Sequence, residues 1–292
     1  MKRAPGAGKR IINFVVKWQR TAAALIRRRR CFLKREKEND MYYSADIGVF
    51  GGSGLYELGD EYRRVDADTP YGKPSEAVSL LEVNGKKVAF MPRHGKGHIY
   101  SPAEVNYRAN VDAMAQLGVK AVISANCVGS LREDYKPGDF VVTDQYINMT
   151  AGRKDTFYES PKVEHLSSAE PYDERLRQYA LEEGARMGHT MRDGGTTVVI
   201  NGPRFSTKAE SKFFATIGGD LVNMTQYPEA YLCQEKNLPV VNIALVTDYD
   251  AGLKDNPDIP PVTNEMVMKV LTENTEKMKA LIFRMIERIG RK

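Results

Sequence analysis

Two carboxylates, Asp248 and Asp250, stand one residue apart at the end of a largely apolar run, VVNIALVTDYDAGL from Val240 to Leu253. A carboxyl group held in a dry site keeps its proton near neutral pH and can donate it, whereas an ionised carboxylate only accepts hydrogen bonds. The pair is therefore a candidate proton donor and a candidate reader of a ligand. A solvated turn is the reading that this stretch alone leaves open, since Ala251 and Gly252 let the chain turn away.

Five other stretches carry complementary chemistry: Gly51 to Gly54 (GGSG), Arg93 to His98 (RHGKGH), Asn126 to Ser130 (NCVGS), Asn201 to Ser206 (NGPRFS) and Asn223 to Thr225 (NMT). Glycine-rich turns bring backbone N–H groups close to phosphate, and an arginine adds a planar, permanently charged fork. Around Ser53 the glycine order is neither GxGxxG nor GxxxxGK[ST], so neither a dinucleotide site nor a P-loop is supported. His94 and His98 are four apart, but Gly95 and Gly97 intervene and no third ligand is evident, so no metal is expected. Each stretch alone reads equally as a turn. Together they place donors, an aromatic and two carboxylates on loops.

The elements that must position these loops read as α/β, a single domain with a central sheet flanked by helices. Val240 to Val246 is an apolar run typical of a strand buried on both faces. ADIGVF (45–50) and VKAVISANCVGSL (119–131) read as further strands, each entering one of these loops. AVSLLEVNGKKVAFMPRHG reads as a hairpin with a type I′ turn at Asn84-Gly85, and its second arm delivers Arg93 and His94. Asp139 to Tyr146 reads as one strand and Gly195 to Ile200 as another. Helices are expected from Ser101-Pro102 to about Leu117, over Tyr172 to Met187, Thr207 to Ile217 and Thr225 to Lys236, and from an N-cap at Thr263 onward. The last carries Val267, Leu271, Met278, Leu281, Ile282, Met285 and Ile286 at helical spacing, a stripe read as core packing. In an open parallel sheet the loops at the carboxyl ends of the strands gather at one edge, where ligands bind.

Composition narrows the classes. The 292 residues are 42% hydrophobic and 28% charged, enough for a substantial core, and no apolar run reaches a membrane span. Cys31, Cys127 and Cys233 are far apart and lack CxxC spacing, which fits a reducing, cytoplasmic setting. The net charge of +5 is a property of the first 40 residues, which carry 13 Lys/Arg against 3 Asp/Glu, leaving the remainder with 30 against 35. A mildly acidic body gives nucleic-acid binding little support. Residues 1–40 are expected to form a basic leader outside the fold, and residues 41–292 the single domain. The leader fits a transit-like segment, a nucleic-acid patch, a basic amphipathic helix over Ile11 to Ile26, or a start codon upstream of a true start at Met41.

The motifs GGSGLYEL, TPYGKPS, PRHGKGHIYSPAEVNYRAN, KPGD, GPRFSTKAES, NMTQYPE and TDYDAG, in this order, resemble those of the trimeric purine nucleoside phosphorylases, and within them the methylthioadenosine phosphorylases. The resemblance spans Asp46 to about Leu253. It implies a mixed central sheet and phosphorolysis of S-methyl-5′-thioadenosine, with adenosine a further substrate. The products are adenine and a pentose 1-phosphate, with inorganic phosphate as co-substrate and no cofactor. By the same resemblance Ser53, Arg93, His94, Asn126, Cys127 and Thr225 hold phosphate, with His94 as a donor; many relatives have a Thr-Ala pair at 126 and 127, and backbone donors at 127 survive that departure. Phe205 stacks on the purine, Met224 covers the ribose face, His98 lies near the ribose and His165 reaches a neighbouring subunit's ligand in a homotrimer or homohexamer. Asp248 protonates purine N7 and Asp250 accepts from the 6-amino group. A 6-oxopurine or methylthioinosine phosphorylase is the alternative within the class, and a nucleoside-binding protein without turnover the alternative outside it.

Overall fold

A computed structural model describes residues 43–253, 256 and 258–290 of the chain. The basic leader, its Ile11 to Ile26 helix and the boundary at Met41 lie outside the described residues. Residues Ala45–Lys292 form one compact unit.

The strands, in chain order, are β1 (Ile47–Gly51), β2 (Glu61–Val65), β3 (Val78–Val83), β4 (Lys86–Pro92), β5 (Ala121–Ser130), β6 (Phe140–Val142), β7 (Gln145–Asn148), β8 (Met191–Asp193), β9 (Thr196–Val199), β10 (Leu221–Asn223) and β11 (Val240–Asp248). The helices are α1 (Tyr107–Gln116), α2 (Glu174–Arg186), α3 (Lys208–Thr216), α4 (Gln226–Glu235) and α5 (Asn264–Arg288). The hairpin β3–β4 turns at Asn84 and Gly85, both with positive φ, as the Asn-Gly signal requires. Helix N-termini follow their side-chain caps: Asp173 accepts from Leu176 N, Thr263 from Met266 N, and Thr207 with Glu210 forms a capping box.

β5 organises the sheet. Its first residues pair in parallel with β1 on one side, and β11 runs parallel along its other side. Its last two residues pair antiparallel with β10, which continues in parallel to β9 and then β7. The sheet is mixed, as expected, but it is not one parallel edge. β10 runs back toward the middle of β5 and delivers Asn223 to Thr225 from the opposite direction to β1, β4 and β11. The site therefore lies where two differently directed parts of the sheet meet, a correction to the single-edge expectation.

Helices cover both faces. Ile47 and Val49 of β1 join a core with Leu281, Ile282, Met285 and Ile286 of α5 and Leu176 and Ala180 of α2. Gly48, pointing the other way, faces Met114 of α1, which packs on α4.

Three further expectations are corrected. Asp139 to Tyr146 is two strands: Thr143 and Asp144 break it, and β6 pairs with β11 and β8 while β7 pairs with β9. The helix expected from Ser101-Pro102 begins only at Tyr107, because Asn106 supplies the cap by accepting from Ala109 N. β2 (EYRRV) and β8 (MRD) were not anticipated; one is a mostly exposed, charged strand and the other three residues long, so neither carries a hydrophobic period.

Candidate active site

A cavity of about 360 Å³ opens at the C-terminal ends of β1, β4, β9 and β11 and beside the last half of β5. That volume is in the range of small-molecule sites. Ser53, Arg93, His94, His98, Asn126, Cys127, Phe205, Met224, Thr225, Asp248 and Asp250 all line it. His165 does not; it sits on an exposed stretch outside this chain's own cavity.

The carboxylate pair is placed by a bulge. β11 follows β5 residue for residue from Val240 to Val246, then slips so that Asp248 stands opposite Gly129. The extra residue re-aims the end of the strand. A Cβ at position 129 would stand 2.8 Å from Asp248 Oδ1, so the close approach needs glycine there. Asp248 is buried, with Oδ1 accepting from Asp250 N at 2.7 Å and Oδ2 from the Thr247 hydroxyl at 2.7 Å. Burial nevertheless raises its pKa to about 6, outweighing those two bonds. Asp250, in the left-handed region at φ 50, is also buried. Burial raises its pKa too, offset in part by the nearby Ser206 and Ser211 hydroxyls. Its Oδ2 is buried and makes no hydrogen bond among the described residues, an unused acceptor on a residue that lines the cavity.

Arg93 is fully buried. Its Nε and one Nη2 hydrogen grip the Glu229 carboxylate at 2.6 and 2.7 Å, Nη2 also donates to Ser124 Oγ at 3.0 Å, and Nη1 to Ala125 O at 3.1 Å. Burial alone would lower its pKa, but the Glu229 carboxylate outweighs burial and the net direction is up. Four of the five N–H groups are thus occupied by protein, leaving one Nη1 hydrogen for a ligand. Glu229 in turn accepts from Ser124 Oγ at 2.6 Å, so three side chains lock one another.

His94 differs from the expected donor. Its Nδ1 lies 2.9 Å from Tyr100 O, and a carbonyl can only accept, so Nδ1 carries the hydrogen. Burial, then the charge of Arg93, lowers its pKa to about 3. At neutral pH the ring is uncharged and Nε2 is a bare acceptor. His98 stacks on it, with centroids 4.2 Å apart and planes 9° apart, and contacts the Tyr56 hydroxyl at 3.1 Å. Burial holds His98 below its ordinary pKa as well.

The remaining walls come from β5, β10 and α5. Asn126 is buried with neither amide atom bonded within the described residues. Burial, with Asp248 adding to it, raises the Cys127 thiol to about 11, which leaves it protonated and unreactive. Asn223 ties this wall together: its amide donates to Cys127 O at 2.8 Å and its oxygen accepts from Thr225 N and Gln226 N, each at 2.7 Å. Arg204 is outside the cavity lining and pairs with Glu210, while Phe205 stays 39% exposed at the rim.

Sequence reasoning missed Tyr56, Asn264 and the wall formed by Val267, Met268 and Leu271. The stripe on α5 is core from Leu271 onward, as expected, but its first two turns face the cavity. Helical spacing identifies an apolar face without saying what covers it.

Residues 46–287 match the model of the Phosphorylase superfamily. The S-methyl-5′-thioadenosine phosphorylase of Thermofilum pendens is 48% identical over 83% of this chain and 92% of its own length. That of Saccharolobus solfataricus is 44% identical, covering 85% and 91%. Among solved structures, methylthioadenosine phosphorylase from Schistosoma mansoni in complex with adenine superposes with a TM-score of 0.79 at 35% identity, covering 85% of this chain and 92% of the other. Motif order, fold and cavity agree with the family match: this chain belongs to the Phosphorylase superfamily.

Proposed function

We propose that the chain is an S-methyl-5′-thioadenosine phosphorylase that transfers the methylthiopentosyl group from adenine to inorganic phosphate. The observation that carries this reading is Asp248, a buried carboxyl with a pKa of about 6, sharing one cavity with Asp250, Arg93 and His94. Relatives at 44–48% identity bear that activity in their names.

Monohydrogen phosphate attacks C1′ with an oxygen lone pair, and the C1′–N9 bond breaks with its electrons passing to the purine. The transition state has oxocarbenium character, so fixed donors serve better than a covalent nucleophile. Arg93 offers its remaining N–H to phosphate, and Ser53 and Thr225 add hydroxyls. Bare Nε2 of His94 accepts the P–OH hydrogen of monohydrogen phosphate. Asp248 delivers its proton to N7, and the phosphate proton, released as the ester forms, restores it. Atoms and charge balance: over a turnover phosphate loses one proton and adenine gains one, with Asp248 returned to its starting form. Asp250 Oδ2 accepts from the 6-amino group, a match that a 6-oxo group denies.

The apolar wall of Val267, Met268 and Leu271 favours a 5′-methylthio group over a 5′-hydroxyl, a difference of about 1–3 kcal/mol for groups of that size. Phosphate is the only co-reactant required. His165, exposed and away from its own cavity, is assigned to a neighbouring copy's site in a homotrimer. Among the described residues no helix is long and apolar enough to cross a membrane, and a cytoplasmic setting is part of the proposal.

Assaying methylthioadenosine, adenosine, methylthioinosine and inosine with and without phosphate tests the reading. Phosphate-dependent release of adenine, with methylthioadenosine preferred, is expected. Release without phosphate would make the protein a hydrolase, preference for the inosines would make it a 6-oxopurine enzyme, and binding without release would make it a sensor.

A further inference from the structure

The loop between β7 and α2 contains a cation that none of the proposed chemistry uses. Arg153 is half-buried, and among the described residues no carboxylate pairs with it. Its Nη1 donates to Tyr227 O at 2.6 Å. Its Nη2 faces three more carbonyls: Met224 at 2.8 Å, Asn201 at 3.1 Å and Ile200 at 3.3 Å. Burial lowers its pKa, the expected sign for a cation held by carbonyls without a counter-ion. An arginine half-buried among carbonyls without a counter-ion has a geometric task, and the four oxygens define it. Ile200 and Met224 line the cavity, and Phe205 follows Asn201 by four residues.

The strap that carries Arg153 is itself fastened to the same segment. Met149 N donates to Val199 O at 2.9 Å, and Ala151 exchanges two bonds with the Asn201 side chain, at 3.0 and 3.1 Å. On the far side the contact between the two gathered segments is tight: a Cβ at Gly202 would stand 2.4 Å from Met224 Sδ, and Gly202 has φ 64. The guanidinium therefore sets the spacing between the loop that bears Phe205 and the loop that bears Met224.

We propose that Arg153 is a positioning residue for the nucleoside, holding the aromatic and ribose-covering walls at the separation that a purine nucleoside fills. Charge-assisted hydrogen bonds are about twice as strong as neutral ones, and only a planar fork reaches carbonyls from two loops at once. Of the phosphate ligands only Thr225, next to Met224, shares a held loop; Ser53, Arg93 and His94 hang on other elements and make no hydrogen bond with it. The effect thus falls chiefly on the nucleoside.

This inference rests on the phosphorylase reading, so turnover and binding are measured separately. In Arg153→Ala and Arg153→Lys, KM for methylthioadenosine should rise about 10–100-fold, the scale on which small misplacements of a bound substrate are felt. KM for phosphate should stay within about twofold. Adenine binding by calorimetry, which needs no turnover, should weaken in parallel, and guanidinium chloride at millimolar concentration should restore part of the loss in Arg153→Ala but not in Arg153→Lys. Equal increases in both KM values, or unchanged adenine affinity in a folded variant, would overturn the proposal. Should Arg153→Ala not fold, Asn201→Ala, which removes only the strap's side-chain anchor, carries the same KM test. Wild-type protein that binds adenine but performs no phosphorolysis would sink the reaction assignment and leave the positioning role standing.

Discussion

Replacing Thr247 by Val tests the acid at its most exposed assumption. The Thr247 hydroxyl donates to Asp248 Oδ2 at 2.7 Å and stabilises the carboxylate form. Valine keeps the shape and removes that donor, leaving only Asp250 N on the other oxygen. A hydrogen bond to a charged group contributes about 1.5–3 kcal/mol, and one pKa unit corresponds to about 1.4 kcal/mol. The Asp248 pKa should therefore rise from about 6 by roughly one to two units. Because the protonated form is the active one, a higher pKa extends activity toward alkaline pH. The assay is the pH profile of kcat/KM for methylthioadenosine at saturating phosphate, which reports ionisations of the enzyme form that binds the nucleoside. Phosphate itself ionises in this range, but identically for both proteins, so the difference between their alkaline limbs isolates Asp248. Superimposed limbs, in a variant that still binds adenine normally, would refute either the acid or the hydrogen bond assigned to it. Asp248→Asn, which has no titrating proton to give, should lose the limb and about 10²–10⁴-fold in rate.

Four more outcomes are expected. Asp250→Asn, which replaces one acceptor oxygen by a donor, should shift preference from methylthioadenosine toward methylthioinosine; an unchanged ratio in parallel assays would remove Asp250 from the 6-position. Glu229→Gln leaves Arg93 buried without its counter-charge, so urea unfolding should show a loss of about 3–5 kcal/mol, together with a raised KM for phosphate. Since the folded pKa of Asp248 lies above the unfolded value near 3.9, its contribution to stability is present below about pH 4 and disappears as pH rises through about 6; the wild-type protein should lose up to about 3 kcal/mol relative to Asp248→Asn between those limits, by denaturant titration. A chain beginning at Met41 should retain full phosphorolysis, and loss of folding would show that the basic leader belongs to the domain.

Much of this protein is written locally. The Asn84-Gly85 turn, the cap at Thr263, the starts of the helices at Glu174 and Lys208, and the apolar runs of β1, β5 and β11 depend on neighbours a few residues away, and each formed within about two residues of its expected place. The loop chemistry was legible for the same reason: Arg, Asn, Ser, Asp and Gly at strand ends have few structural uses other than turns and ligands. Tertiary structure decided what those residues do. Whether Arg93 offers a whole fork or a single N–H depends on Glu229, 136 positions away. His94 became an acceptor because Tyr100 O occupies its other nitrogen, and the reversal of β10 and the bulge at Thr247 follow from strand pairing. Arg153 acquires its task only because four carbonyls from two segments converge on it. Residue type and short-range spacing limit the chemistry available, but hydrogen-bond partners and solvent exclusion assign it, and those belong to contacts between residues far apart in the chain.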